Sequence, residues 1–137
     1  MARAKGLDKH LRRMRALGGQ EMVRAVSAAV YESADAIRAE AFRSISAGSV
    51  SGAGHVPSAP NTPPNRDTGE LQSKLKTAPT GPISAEVRSE AEYAAALEFG
   101  TSRMAQRPYM RPARDKELEP SRQRLAKQLD RLNKRSG

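Results

Sequence analysis

The strongest constraint on this chain is a proline-free run from Gln20 to Ser46. Within it Val23, Val26, Val30, Ala34, Ile37, Ala41 and Ile45 recur at steps of three and four, so they share one face of a helix. Arg24, Glu32, Asp35, Arg38 and Arg43 fall mostly on the other sides, and Ala and Glu are frequent. A helix this long needs an apolar partner along its length. The chain has little to offer: of 137 residues, 37% are hydrophobic, 4% are aromatic and none is Trp. One domain with a small aliphatic core is expected, leaning on a partner subunit for part of its stability.

The rest of the sequence supplies that partner in pieces. Residues 1–19 form a basic N-terminal segment in which 7–16 suit a short helix, broken by Gly18-Gly19. Residues 47–69 hold four Pro and four Gly with no periodicity and read as a long loop, either a surface insertion or an arm that orders against a neighbour. Over 70–91 a β-hairpin is predicted. Leu71, Ser73, Leu75 and Thr77 alternate with polar residues, as do Ile83, Ala85 and Val87, and Pro79-Thr80-Gly81-Pro82 supplies the turn. In that register Glu86 lies opposite Lys74 or Lys76. Segment 92–111 contains a short helix over Tyr93–Phe99, then an extended stretch, because Arg107 and Arg111 each precede Pro. Residues 112–137 make a basic C-terminal helix carrying Leu118, Leu125, Leu129 and Leu132, with Pro112 in its first turn and Pro120 forcing a kink or a delayed start. The predicted class is α+β: a long N-terminal helix packed on a small antiparallel sheet, with a C-terminal helix.

Charge is unevenly spread. The net +9 divides into +5 over residues 1–17, −3 over 18–102 and +7 over 103–137. Two basic ends around a mildly acidic body predict contact of the ends with something anionic.

The chemistry of catalysis is thin. There is no Cys, which removes disulfides and thiolate ligands, and His10 and His55 are the only histidines, far apart in sequence. No metal or other cofactor is expected. Asp67-Thr68-Gly69 looks like an aspartic-protease triplet, but it has no second copy and ends a Pro-rich loop. Gly18-Gly19 lacks the spacing of a phosphate-binding loop. No apolar run approaches the roughly 20 residues needed to span a bilayer. The N-terminus lacks a signal-peptide core, so the chain is expected to stay in the cytoplasm where it is made.

Three pieces in order carry a resemblance. They are Thr68-Gly69-Glu70-Leu71, then Tyr93-Ala94 followed by Leu97-Glu98-Phe99-Gly100-Thr101, then Gln106-Arg107-Pro108-Tyr109-Met110-Arg111-Pro112-Ala113. With these flanking helices the stretch resembles the tail-completion, or head–tail joining, proteins of long-tailed phages and phage-like gene transfer agents. The family pattern leads from the first piece into its first strand. It has Phe where Tyr109 stands, and the added hydroxyl changes little if the ring edge reaches solvent. Read as residues alone, Gly100 suits a left-handed helix end, and Phe99 is a large apolar anchor.

The resemblance implies a non-enzymatic virion protein at the head–tail junction, assembled in the host cytoplasm as a homo-oligomer, with six copies ringing the DNA channel. It implies contacts with other neck and tail proteins: terminator, stopper and tail tube. The terminator and the head-side stopper are themselves the nearest alternative identities. A dedicated nucleic-acid-binding protein is more distant, because the aromatic pairs of single-strand binders and a helix-turn-helix are missing. Candidate subunit or ring contacts are Tyr93, Leu97, Glu98, Phe99, Arg107, Tyr109, Met110 and Arg111; equally, Phe99, Tyr109 and Met110 complete the domain's own core. Arg122, Arg124, Lys127, Arg131, Lys134 and Arg135 are candidates to face the channel or a neighbouring ring, with only non-specific proximity to double-stranded DNA. No membrane partner is expected.

Overall fold

The computed structural model describes residues 11–12, 18–45 and 54–136. Helix α1 spans Gln20–Ser44, with Gly19 as its extended N-cap. A four-residue helical turn, α2, spans Glu70–Ser73. Strands β1, Leu75–Gly81, and β2, Ser84–Ser89, form one antiparallel hairpin. Helix α3 spans Ala94–Phe99, and helix α4 runs from Met110 to Ser136. The class is α+β. Of the predicted short basic helix only Leu11 and Arg12 are described, and both are helical. Residues 46–53 lie outside the described part of the loop.

Both the hairpin and α4 pack on α1. Cross-links fix α4 as antiparallel to it. Lys116 Nζ reaches Glu40 at 2.7 Å, and eight residues further on Arg124 donates to the Ser33 hydroxyl at 2.9 Å. The core collects at the C-terminal end of α1, where Ala41, Ile45, Leu71, Leu75, Ala91, Tyr109 and Ala113 are buried together. Small side chains make this approach possible: Ala29, Ala34 and Ala41 are the buried positions within α1. Val23, expected on the buried face, is exposed.

The hairpin departs from the expected register. Leu71 and Ser73 are helical, because Gly69 takes a left-handed conformation (φ +86°) and α2 begins on it. The lead-in from the first motif to β1 is therefore a helical turn. The strand starts at Leu75 and runs through Pro79 and Gly81, leaving Pro82 and Ile83 as the turn. Neither has a positive φ, so the primed turn types do not apply; a bulge between Pro79 and Gly81 accompanies the turn. Glu86 consequently lies opposite Ala78, not a lysine, and Lys76 faces Arg88. That like-charged pair is relieved along β2 itself. Arg88 reaches Glu86 at 2.9 Å and Glu90 at 3.2 Å.

Helix α4 begins at Met110, with no delay, and remains one element through Pro120. Pro120 and Lys116, whose carbonyl loses its usual donor, are both exposed, so water replaces the missing bond.

Candidate functional site

The second and third motifs meet through one side chain. Glu98, in α3, is 7% exposed, and its carboxylate caps the start of α4. Oε2 accepts the backbone N–H of Tyr109 at 2.9 Å and of Met110 at 3.0 Å; Oε1 accepts that of Arg111 at 2.7 Å. A helix leaves four N–H groups at its start without intrahelical partners. Here they belong to Tyr109, Met110, Arg111 and residue 112, which is proline and has none. All are therefore accounted for. The negative carboxylate also sits at the positive end of the helix dipole.

The residue after the first motif does the converse for the end of α1. Gln72, buried in α2, donates from Nε2 to the Phe42 carbonyl at 2.9 Å and, more weakly, to that of Ile45 at 3.5 Å. Those are carbonyls that the end of α1 leaves open.

Gly100 closes α3 with φ +75° and ψ 175°. This is not the left-handed helical region expected from the sequence but the mirror-extended region, open essentially to glycine alone. A Cβ here would lie 2.9 Å from the Gln106 nitrogen and 3.0 Å from the Met104 oxygen. The close approach lets the Arg107 N–H reach the Leu97 carbonyl at 2.6 Å. The described part of the loop docks on the same segment. The Asn61 N–H reaches the Gln106 carbonyl, Gln106 Nε2 the Asn61 side chain, and Arg107 Nε the Ser58 carbonyl.

The candidate contact residues therefore divide. Tyr109 is 1% exposed and in the core, so its ring edge does not reach solvent, and burial pushes its hydroxyl pKa up. Leu97 and Met110 pack against the core, and Arg107 is tied to the loop. Tyr93 and Phe99 are exposed, Phe99 at 68%, with the Arg111 guanidinium 5.5 Å from its ring centroid.

Phe99 and Arg111 border an open apolar groove of about 660 Å³. Its floor is α1 from Ala29 to Ile37. One wall is Ala85 and Val87 of β2; the other is α4 from Met110 to Leu125, with Arg111, Arg114 and Arg122 among its lining. Leu118 and Leu125 had a visible signal, a seven-residue spacing on α4. Ala85 and Val87 showed only the alternation of an apolar strand face and Arg114 had no signal, because the groove exists only once three elements are packed.

Among the basic candidates, Arg124 is committed inward, to Ser33 and to Glu32 at 3.6 Å. Arg122 lies 3.9 Å from Glu119, and Lys134 pairs with Asp130 at 3.0 Å. Lys127, Arg131 and Arg135 are exposed and have no ion pair among the described residues. Arg131, Lys134 and Arg135 share a second cleft, also about 660 Å³, with Arg24 and Glu21 of α1.

Elsewhere the polar side chains are structural. Arg38 donates to Asp35 and holds its carboxyl below the usual range, helped by the Thr77 hydroxyl at 3.3 Å. Lys116 and Arg43 together do the same for Glu40. His55 Nδ1 is 3.9 Å from Asp67 in a cleft that Ser58 also lines. Among the described residues, no group of three or more His, Asp or Glu is placed to hold a metal ion, and no helix is long and apolar enough to cross a membrane.

A family model described as "Bacteriophage HK97-gp10, putative tail-component" matches residues 8–100, which takes in the first motif and all of the second but its last residue, Thr101. Comparison with curated proteins gave no match, and comparison with solved structures gave none.

Proposed function

Since the chain belongs to the HK97-gp10-like family of phage tail components, we propose that it is a structural, non-catalytic protein that completes the head-proximal end of the tail and joins it to the head. In this reading it works as a sixfold ring around the DNA channel. The observation that supports assembly is the exposed Phe99 beside an apolar, arginine-bordered groove. A monomer gains nothing from leaving such a surface in water, whereas an assembled subunit covers it.

Those cations of α4 that form no ion pair among the described residues support a place beside DNA or an acidic ring. Lys127, Arg131 and Arg135 follow one another at intervals of four on one side of the helix. Like charges so spaced cost an isolated helix about 0.2–0.5 kcal/mol per pair. An anionic surface facing them removes that cost.

Electron microscopy of particles lacking the protein tests the assignment. Full heads and finished tails should accumulate unjoined. Joined, normal particles would overturn it. Tails of uncontrolled length would instead indicate a terminator, and heads that lose their DNA a stopper.

A further inference from the structure

Among the described residues the hairpin has two open edges, and they are not equivalent. The Glu90 N–H bonds the Lys74 carbonyl at 2.9 Å, which makes 74 and 90 a hydrogen-bonded pair. Antiparallel pairs alternate, so Lys76–Arg88 and Ala78–Glu86 are hydrogen-bonded and the pairs between them are not. The backbone groups of Leu75, Thr77 and residue 79 therefore point out from β1, and those of Ala85, Val87 and Ser89 point out from β2. Position 79 is proline, so the β1 edge loses a donor without weakening the hairpin. This is how natural sheets blunt an edge.

The β2 edge carries no such block. Its outward groups at Ala85 and Val87 have no hydrogen-bond partner among the described residues. The groove is lined by β2 and not by β1, so this open edge borders it, with α4 as the far wall. An unpaired strand edge beside an apolar floor is the geometry that accepts an added strand. The groove's electrostatics select the guest. Its charged lining is Arg111, Arg114, Arg122 and Glu98, and Glu98 spends both oxygens on α4. Among the described residues Arg114 and Arg122 have ion-pair partners only in the exposed Asp115 and Glu119, and Arg111 has the Phe99 ring.

We propose that this groove is a docking site for an extended segment of a partner protein, apolar at alternate positions and acidic at its flanks, that adds a third strand to β2. A second copy offering its own β1 is disfavoured because Pro79 lies on the edge it would present. The chain's basic segment 1–17 carries the wrong charge for the groove.

The test uses the full chain and a labelled peptide of alternating Val and Thr flanked by Glu, followed by fluorescence anisotropy. Saturable binding is expected. Flanking with Lys should weaken it by about tenfold or more, as should Arg114→Glu with Arg122→Glu. N-methylating the peptide on alternate residues should abolish binding in one of the two possible phases, because one set of N–H groups faces β2. Val87→Pro removes an outward N–H but no hairpin bond, so it should keep the circular dichroism melt and lose the peptide. Should Val87→Pro unfold the chain, the N-methylated peptides decide alone. Absence of saturable binding, equal affinity for the Lys-flanked peptide, or indifference to N-methylation in both phases overturns the proposal. Self-association in the ultracentrifuge that displaces the peptide and is lost in Val87→Pro would also overturn it, making the occupant a second copy.

Discussion

Glu98 accepts the Arg111 backbone N–H at 2.7 Å across a separation of thirteen residues. Through this carboxylate the short helix α3 sets where the C-terminal helix begins. A net contribution of about 1.5–3 kcal/mol is typical for one hydrogen bond to a charged group, and a lost cap costs about 1 kcal/mol. Glu98→Gln offers one acceptor in place of two and turns an N–H group toward other donors. We expect it to lose about 2–3 kcal/mol in urea denaturation, with faster hydrogen exchange at Met110 and Arg111. Unchanged exchange at those amides would show that the cap is dispensable.

How much of this was legible beforehand depended on distance along the chain. Helix α1 was readable because its period repeats through its whole length. The hairpin was readable only in outline. The alternation Leu71-Ser73-Leu75 is shared by a strand and by a helical turn running into one, and only the left-handed Gly69 distinguishes them. Both halves of the Glu98 cap were visible as motifs, but their connection was not. A cap supplied from another helix leaves no spacing signature of the kind a local capping box does. The groove was invisible for the same reason.

Gly100 is the hinge of that connection. Its φ of +75° with ψ near 175° excludes side chains, and a Cβ would press on the backbone at Gln106 and Met104. Gly100→Ala should destabilise by roughly 2–4 kcal/mol, combining backbone strain with the forced shift. A chemical melt coincident with that of the unaltered protein would contradict this geometry.

Acid should weaken the ties of α1, through Glu40 to Lys116 of α4 and through Asp35 to Thr77 of β1. The carboxyl groups of Glu40 and Asp35 are held below their ordinary 4.5 and 3.8 by Lys116 with Arg43 and by Arg38 respectively. A depressed carboxyl contributes stability that is fully present above its unfolded pKa and is lost as pH falls through its folded pKa. Stability from these two groups should therefore be level above about pH 5 and decline below pH 4. Glu40 should dominate, because the Asp35 side chain is nearly half exposed and more screened by water. Melts of Glu40→Gln across this range should show a shallower decline; an unaltered slope would remove Glu40 from the account.

The buried alanines of α1 set how closely the other elements approach. Ala41 is fully buried among Ile45, Leu71, Leu75 and Tyr109. Ala41→Leu adds volume where no space remains and should cost about 1–3 kcal/mol. Thermal unfolding measures it, and a stabilised variant would mean that the core is looser than the packing shows.

The role of the basic helix can be separated from its stability. Arg124 is the wrong residue to alter, because it bonds Ser33 and lies near Glu32, so its loss would loosen α4 from α1. Lys127, Arg131 and Arg135 are exposed and form no ion pair among the described residues. Replacing all three with Gln relieves their mutual repulsion, and exposed charges contribute about 0–1 kcal/mol each, so the melting temperature should hold or rise slightly. Replacing them with Glu restores a like-charged stripe of opposite sign, with a further small cost where position 135 meets the negative end of the helix. If the stripe faces DNA or an acidic ring, joining of heads to tails should fall with Gln and fail with Glu, while both proteins remain folded. Normal yields of DNA-delivering particles from the folded Glu variant would show that the stripe faces only water.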